Sequence, residues 1–413
     1  MEYILQQNSW NGFDAVKIAL PDDWLVKVCG IEGDKKRALT REEIKSKINS
    51  PYGMLRLSEL AKDAKDVAIV FDDISRGTPT QIIAEIVLEE LHEAGIGKDQ
   101  IRFICALGMH GAHSRREFAA KLGEDIITDY AVYNHNPYEN CVQIGTTRRG
   151  VPACINAEFM KCDLRIGLGA ITPHPFNGYG GGGKILFPGI ASAETIEQNH
   201  ATAVNYISQN KLNLVYQMGK TSNDAMRKEI EEMAKMACPF FKVDVIYNSR
   251  LEIIDIYAGD PVEEYYAAIP SAEKLYATPR IEDQQVVIVN ANAKASEAAI
   301  ALHMATMAVS QEGGDIVIVN NAVGGQTTHY LLGAFGKFVG GRMWGKIPRK
   351  RPHLRKVIYF SEYPDLASSK WFGEPEKLVF ARSWQEVMSH LSGWGQGTRA
   401  AVIMDGTLSY YEG

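Results

Sequence analysis

No run of about 18 apolar residues occurs in the 413-residue chain, so the sequence predicts no transmembrane helix. The first residues, Met-Glu-Tyr-Ile-Leu-Gln-Gln-Asn, lack a basic segment with an apolar one behind it, and no signal peptide is expected. None of the six cysteines (Cys29, Cys105, Cys141, Cys154, Cys162, Cys238) stands in a C-x-x-C pair. That scatter fits reduced, mostly buried thiols in a cytoplasmic protein. Basic charge is not in excess either: 44 Lys and Arg against 50 Asp and Glu leave −6, which advertises no nucleic-acid partner. What remains is 46% hydrophobic and 23% charged, values that exclude disorder, collagen-like repeats and a disulfide miniprotein. The length allows two or three domains and a sizeable core.

Short apolar runs alternate with helical periodicity. Residues 67–71 read as a buried strand, 82–91 as a helix ending near Gly95 and Gly97, and 101–107 as a second strand. Ser114-Arg-Arg-Glu117 then reads as a capping box, and 164–171 as a third strand. The rhythm returns at 286–289, a helix over 296–309, and strands at 315–319, 357–360 and 400–404. Strand, helix, strand at this pace predicts an α/β fold of two domains, each a largely parallel or mixed sheet flanked by helices. The stretch 267–283, with Pro270, Pro279 and several charges, is the expected junction. The expected division is an N-terminal domain over 1–268, a C-terminal domain over 280–405 that closes on the substrate, and a tail over 406–413 packing back on the first domain. The active site is expected in the cleft between the two. Seven basic residues and no acid between Arg342 and Lys356 read as a solvated loop, because Pro348 and Pro352 interrupt any continuous face.

The densest motif is Thr172-Pro-His-Pro-Phe-Asn-Gly-Tyr-Gly-Gly-Gly-Gly-Lys-Ile-Leu-Phe-Pro-Gly189. Glycine at this density marks backbone that approaches a ligand closely or adopts positive φ. Gly178 to Lys184 matches G-x-x-x-x-G-K, but Ile185 replaces the Mg²⁺-binding hydroxyl, and Pro188-Gly189 stands where a P-loop starts its helix. A second cluster, Asp72-Asp73-Ile-Ser-Arg76-Gly-Thr78-Pro79, follows a strand, where ligands bind in parallel sheets. A third, Leu107-Gly-Met-His110-Gly-Ala-His113, does the same. Histidines at 110, 113, 174 and 200 crowd these turns, and imidazole is both the natural base near neutral pH and a nickel or zinc ligand.

Together, Asp72-Asp-x-Ser-Arg76-x-Thr-Pro79, Leu107-Gly-x-His110, Asn134-His135, Pro173-His174, Gly178-Tyr-Gly-Gly-Gly-Gly-Lys184, Pro188-Gly189 and His200 resemble the nickel-dependent lactate racemase family, in order and spacing, over about residues 65–205. The resemblance implies a nickel-pincer nucleotide, a pyridinium-3,5-bisthiocarboxylic acid mononucleotide with nickel, attached covalently at Lys184. It makes His200 the metal ligand and His110 and His174 the catalytic acid/base pair. Asp72, Asp73, Thr78, Gly178, Gly181, Gly182 and Gly183 are then the residues holding the nucleotide. Arg76, Phe176, Lys294 and Glu297 are those facing the substrate.

The activity so implied is a racemase or epimerase of a 2-hydroxy acid. Removing the C2 proton beside a carboxylate is difficult, whereas removing hydride from C2 and a proton from the hydroxyl gives a planar 2-keto intermediate that is reducible on either face. Two bases contribute about 10²–10⁴-fold, and a cofactor carries the hydride step. Alternative readings are a metal-dependent hydrolase and a non-catalytic nickel-cofactor or nucleotide-binding protein. The implied partners are a small 2-hydroxy acid and cofactor-maturation proteins, with no nucleic acid, no membrane and a homo-oligomer left open.

The chain departs from the family pattern at Met109, at Gly111-Ala112-His113, at Asn177 and Gly180, and at Leu302, where a lysine is usual. His113 therefore competes with His110, His303 joins the candidates for the pocket wall, and a 2-hydroxy acid larger or more polar than lactate is expected.

Overall fold

The structure, a computed structural model, describes residues 1–7, 10, 12, 15–210, 215, 218–220, 225–331 and 351–412. Two six-stranded sheets organise it. The strands are β1 (Leu25–Cys29), β2 (Val67–Asp72), β3 (Ile101–Ala106), β4 (Ala131–Asn134), β5 (Leu164–Ala170), β6 (Phe241–Tyr247), β7 (Ile253–Gly259), β8 (Val286–Asn290), β9 (Gly314–Val319), β10 (Leu354–Phe360), β11 (Leu378–Ala381) and β12 (Arg399–Ile403). The first sheet has the order β7-β6-β5-β2-β3-β4, parallel except for the antiparallel edge strand β7. The second runs β11-β10-β9-β8-β12-β1 and is parallel throughout.

Alternation along each strand explains the layers. On β2, Ile69 and Phe71 pack with Ile83 and Val87 of helix α1 (Thr80–Glu93), while Ala68 and Val70 face Phe187, Ile230 and Met233. On β8, Val287 and Val289 meet Ala301, Leu302 and Ala305, and Val286 and Ile288 meet Leu5, Trp24 and Val387. Both faces of each central strand are covered, which is why these strands read as unbroken apolar runs. Helix α2 (Arg115–Leu122) starts at the expected capping box: Ser114 Oγ accepts from Arg116 N–H, and Glu117 accepts from Ser114 N–H.

One expectation about domain division needs correction. Residues 25–29 fall within the expected N-terminal domain, yet β1 pairs with β12 in the second sheet, because its partner edge is completed only at residues 399–403. Helix α3 (Glu263–Tyr276) runs through Pro270 into the stretch 267–283, since Tyr265, Ala268, Ile269, Ala272 and Leu275 bury one face of it and packing outweighs the missing N–H. The tail strand Tyr410–Tyr411 pairs with Ala277–Thr278, and the Tyr179 hydroxyl donates to that of Tyr410 at 2.8 Å. All six cysteines are unpaired, with Cys29, Cys105 and Cys162 buried. Among the described residues no helix is long and apolar enough to cross a membrane. The solvated loop expected over 342–356 lies outside the described residues as far as position 350.

Candidate functional site

The loops after β2, β3 and β5 and those after β8 and β9 enclose one cavity of about 300 Å³. Of the residues singled out in the sequence, Asp72, Asp73, Arg76, His110, His174, Phe176, Gly181, Lys184, His200, Lys294, Glu297 and His303 line it. Thr78, Gly178, Gly182, Gly183 and His113 do not.

The turn after β2 is held from beneath. Lys121, fully buried on α2, donates to Asp72 Oδ1 at 2.7 Å and to the carbonyls of Arg76 and Thr78 at 3.1 Å each. Thr78 Oγ1 donates to the other Asp72 oxygen. Asp72 and Thr78, expected to hold a nucleotide, are thus engaged with each other and with Lys121. Burial pushes the Asp72 carboxyl up despite the ammonium. Asp73 accepts from Ser75 N–H at 2.9 Å and from its hydroxyl, and its second oxygen takes the His110 Nδ1 proton. Burial would raise the Asp73 carboxyl, but His110 and Arg76 hold it well below the usual carboxylate range.

Each imidazole has a proton placement that follows from its partner. In His110, Nδ1–H faces Asp73, which leaves Nε2 with a lone pair, 3.9 Å from Glu297 Oε1. In His200, Nδ1–H faces the Ile196 carbonyl at 3.0 Å, again leaving Nε2 bare. A ring oriented by a backbone carbonyl with its other nitrogen open is the arrangement of metal-ligating histidines. His174 is reversed: Nδ1 accepts from Phe176 N–H at 3.1 Å, so its neutral ring carries the proton on Nε2. Burial and the charges of Lys184, Lys294 and Arg76 hold His174 well below the usual imidazole range. Burial and Lys184 bring His200 down to about 3. His113 accepts Ile74 N–H at 3.0 Å on Nε2, and Asn134 brackets its backbone at 3.1 and 2.8 Å. Of positions 110 and 113, only His110 lines the cavity. His135 is also structural, bound to Ala191 O at 2.9 Å.

The glycine run serves two demands. Gly180 and Gly181 bring backbone to the cavity. Gly178, with φ +74°, instead passes the Lys220 backbone so closely that a Cβ would sit 2.1 Å from its carbonyl oxygen, and Gly183 packs on Ala234. The chain then turns through a 3₁₀ segment, Gly182–Ile185, rather than a P-loop helix. Lys184 points inward from that turn. Among the described residues its amine makes no hydrogen bond or ion pair, and burial, then Arg227 and Arg76, hold it well below the usual lysine range. Its surroundings thus disfavour the protonated form of that amine.

Opposite lie residues of the second sheet. Glu297 pairs with Arg76 at 2.6 Å, and Lys294 donates to the Pro173 carbonyl at 2.8 Å. Burial, then Arg76, lowers Lys294 to about 8. Several functional neighbours gave no usable signal in the sequence. Lys121 is one, and the buried pair Lys242–Asp244, which takes Gly182 N–H at 2.6 Å, is another. His329 lines the cavity with its ring centroid 5.3 Å from that of His110. Among the described residues no three His, Cys, Asp or Glu side chains gather closely enough to hold a metal by themselves.

Residues 11–211 match the family described as lactate racemase N-terminal domain. The chain is 28% identical over 287 residues to the lactate racemase of Lactiplantibacillus plantarum, covering 68% of this chain and 66% of that protein. It is 30% identical over 244 residues to the lactate racemase of Thermoanaerobacterium thermosaccharolyticum, covering 58% and 56%. The matched region thus spans just under two thirds of the first relative's length and little over half of the second's. Among solved structures, the lactate racemase apoprotein of T. thermosaccharolyticum superposes with a TM-score of 0.74 over the whole of both chains at 20% identity. A Thermotoga maritima protein does so with a TM-score of 0.65 over 91% of this chain and 99% of its own, at 19% identity. Those two likenesses speak to the fold.

Proposed function

We propose that the chain, whose residues 11–211 match the lactate racemase N-terminal domain, interconverts the C2 stereoisomers of a 2-hydroxy acid with a nickel-pincer nucleotide held on Lys184. The observation that carries this reading is convergence: Lys184, His110, His174 and His200 border one cavity although 90 residues of chain separate the first of them from the last. The donor set fits the group. An amine whose protonated form is disfavoured by burial suits covalent attachment, and an open imidazole nitrogen on His200 suits a metal that arrives with donors of its own. When bound, the cofactor supplies a hydride acceptor beside C2.

The protein's share is positioning and proton movement. Arg76 and Lys294 hold the substrate carboxylate, and Phe176 bounds the pocket. His110 Nε2 takes the hydroxyl proton, with Asp73 stabilising the cation so formed. His174 starts with its Nε2 proton directed as a donor. An anionic substrate lying on Arg76 and Lys294 offsets the field that keeps His174 neutral, so the ring gains proton affinity as substrate binds. The two rings thus begin as acceptor and donor.

Co-expression with cofactor-maturation proteins, followed by intact mass and a chiral assay over short 2-hydroxy acids, tests the proposal. The wild type is expected to carry the nucleotide and retain C2 deuterium in its product. Lys184→Ala is expected to carry none, and His110→Ala and His174→Ala are expected to keep the adduct while losing interconversion by about 10²-fold or more. A full adduct on Lys184→Ala, or washout of the label to solvent, overturns it.

A further inference from the structure

The loops after β8 and β9 bring a strip of uncharged polar groups to the cavity, and the protein itself uses only part of it. Gln326 is fully engaged: it accepts Ala298 N–H at 2.9 Å and donates to the Ala295 carbonyl at 3.1 Å and the Tyr359 hydroxyl at 3.2 Å. Thr327 and His329, which also line the cavity, differ. Among the described residues the Thr327 hydroxyl makes no hydrogen bond, and neither does His329 Nε2. Leu331 N–H donates to His329 Nδ1 at 3.2 Å, so the proton of that neutral ring sits on Nε2. The hydroxyl of Ser296, a third lining residue, is buried without a partner.

Backbone bonds fix where these groups stand. Thr327 N–H donates to the Ser296 carbonyl at 2.8 Å, Gly111 N–H to the Thr328 carbonyl at 3.2 Å and Tyr330 N–H to the Met109 carbonyl at 2.8 Å. Residues 327–330 are thereby stitched to the loops after β8 and β3. The pairing sets the His329 ring edge to face against that of His110, with centroids 5.3 Å apart.

Polar groups without partners, in a site that loses water as it fills, cost free energy unless the ligand answers them. A methyl group answers neither residue, and a carboxylate offers acceptors alone. A hydroxyl accepts from Nε2–H and still has a proton to donate to the threonine oxygen. Resting on the racemase reading above, we infer that the substrate is a 2-hydroxy acid with a hydroxylated tail, whose C3 hydroxyl is bound by His329 and whose tail reaches Thr327. With the carboxylate on Arg76 and Lys294 and the C2 hydroxyl at His110, the oxygen on the neighbouring carbon is the one placed to meet a ring packed against His110.

The test uses cofactor-loaded protein and four-carbon 2-hydroxy acids that are unsubstituted, 3-hydroxylated, 3,4-dihydroxylated or carboxylate-ended. The 3-hydroxylated acid is expected to exceed the unsubstituted one in kcat/KM by about tenfold or more. His329→Phe keeps an aromatic ring without its donor and is expected to cut that preference by about tenfold, mainly through KM. His329→Gln, which returns an N–H, is expected to restore part of it, and Thr327→Val to lower the further gain from the 4-hydroxyl by about 3–10-fold. Calorimetric binding of the same acids gives a readout that needs no turnover. If the hydroxylated acid binds preferentially, and His329→Phe abolishes the preference while no acid is interconverted, the hydroxyl site stands and the racemase reading falls. If acids are interconverted with no preference for a hydroxylated tail, with a preference for the carboxylate-ended one, or with equal losses for both tails in His329→Phe and Thr327→Val, the hydroxyl site falls and the racemase reading stands. Loss of the covalent nucleotide mass in His329→Phe would assign that ring to the cofactor and overturn the inference.

Discussion

Replacing Lys121 by methionine keeps the volume of a fully buried side chain and removes its ammonium, which makes three hydrogen bonds beneath the turn after β2. The Asp72 carboxylate is then left buried with only the Thr78 hydroxyl, and the carbonyls of Arg76 and Thr78 lose their donor. Breaking one side of a buried pair costs about 3–5 kcal/mol, whereas removing both charges is often near neutral. The Lys121→Met, Asp72→Asn double variant is therefore expected to recover most of the loss. For a chain of this size the single variant should melt roughly 5–10 °C lower. The pH dependence carries the sharper signature. Burial already pushes the Asp72 carboxyl up, and without Lys121 nothing offsets it. A carboxyl whose folded value lies above its unfolded one binds the proton better when folded, so stability falls as pH rises past about 4. The deficit should be small near pH 4 and grow toward pH 7, which calorimetric melts over that range will measure. A deficit under about 1 kcal/mol at pH 7, no recovery in the double variant, or a pH-independent loss would each refute the reasoning.

Neighbouring glycines should differ sharply. Gly181→Ala places a Cβ 2.2 Å from Ile171 Cδ1 at φ +84° and is expected to destabilise by about 1–3 kcal/mol in a denaturant titration, while Gly180→Ala, whose Cβ meets nothing nearer than 3.4 Å, should be nearly neutral. Lys294 is a cation below about pH 8 and neutral above it, so KM for an anionic substrate should rise as pH passes 8, and Lys294→Arg should remove that limb. If the limb persists in the arginine variant, the ammonium does not hold the substrate. His113→Phe strands the Ile74 N–H and should cost about 1–3 kcal/mol of stability while the pH profile of turnover keeps its shape, in contrast to substitutions at His110.

What the sequence revealed and what it hid divide along a physical line. Strands β2, β3, β5, β8 and β9 were legible because a parallel strand covered on both faces must be apolar throughout, a property of consecutive residues. Strand β1 was not, because three of its five residues are exposed at a sheet edge whose partner lies about 370 positions away. That helix α3 continues through Pro270 was not legible either, because proline is a local signal while the buried face that overrules it is a tertiary one. The same division runs through the site. Lys184, His110, His174 and His200 carry chemistry that depends on residue type and order, so a family resemblance could point to them. Lys121 and Asp244 act by sitting under a turn contributed by another part of the chain, and nothing beside them in sequence marks that duty. Glycine shows the limit most clearly. Its density at 178–183 announced a place where backbone must pass something closely, but only the fold could divide that run between the cavity, which Gly180 and Gly181 border, and protein neighbours, which Gly178 and Gly183 touch. A residue type states a demand, and the fold decides which neighbour makes it.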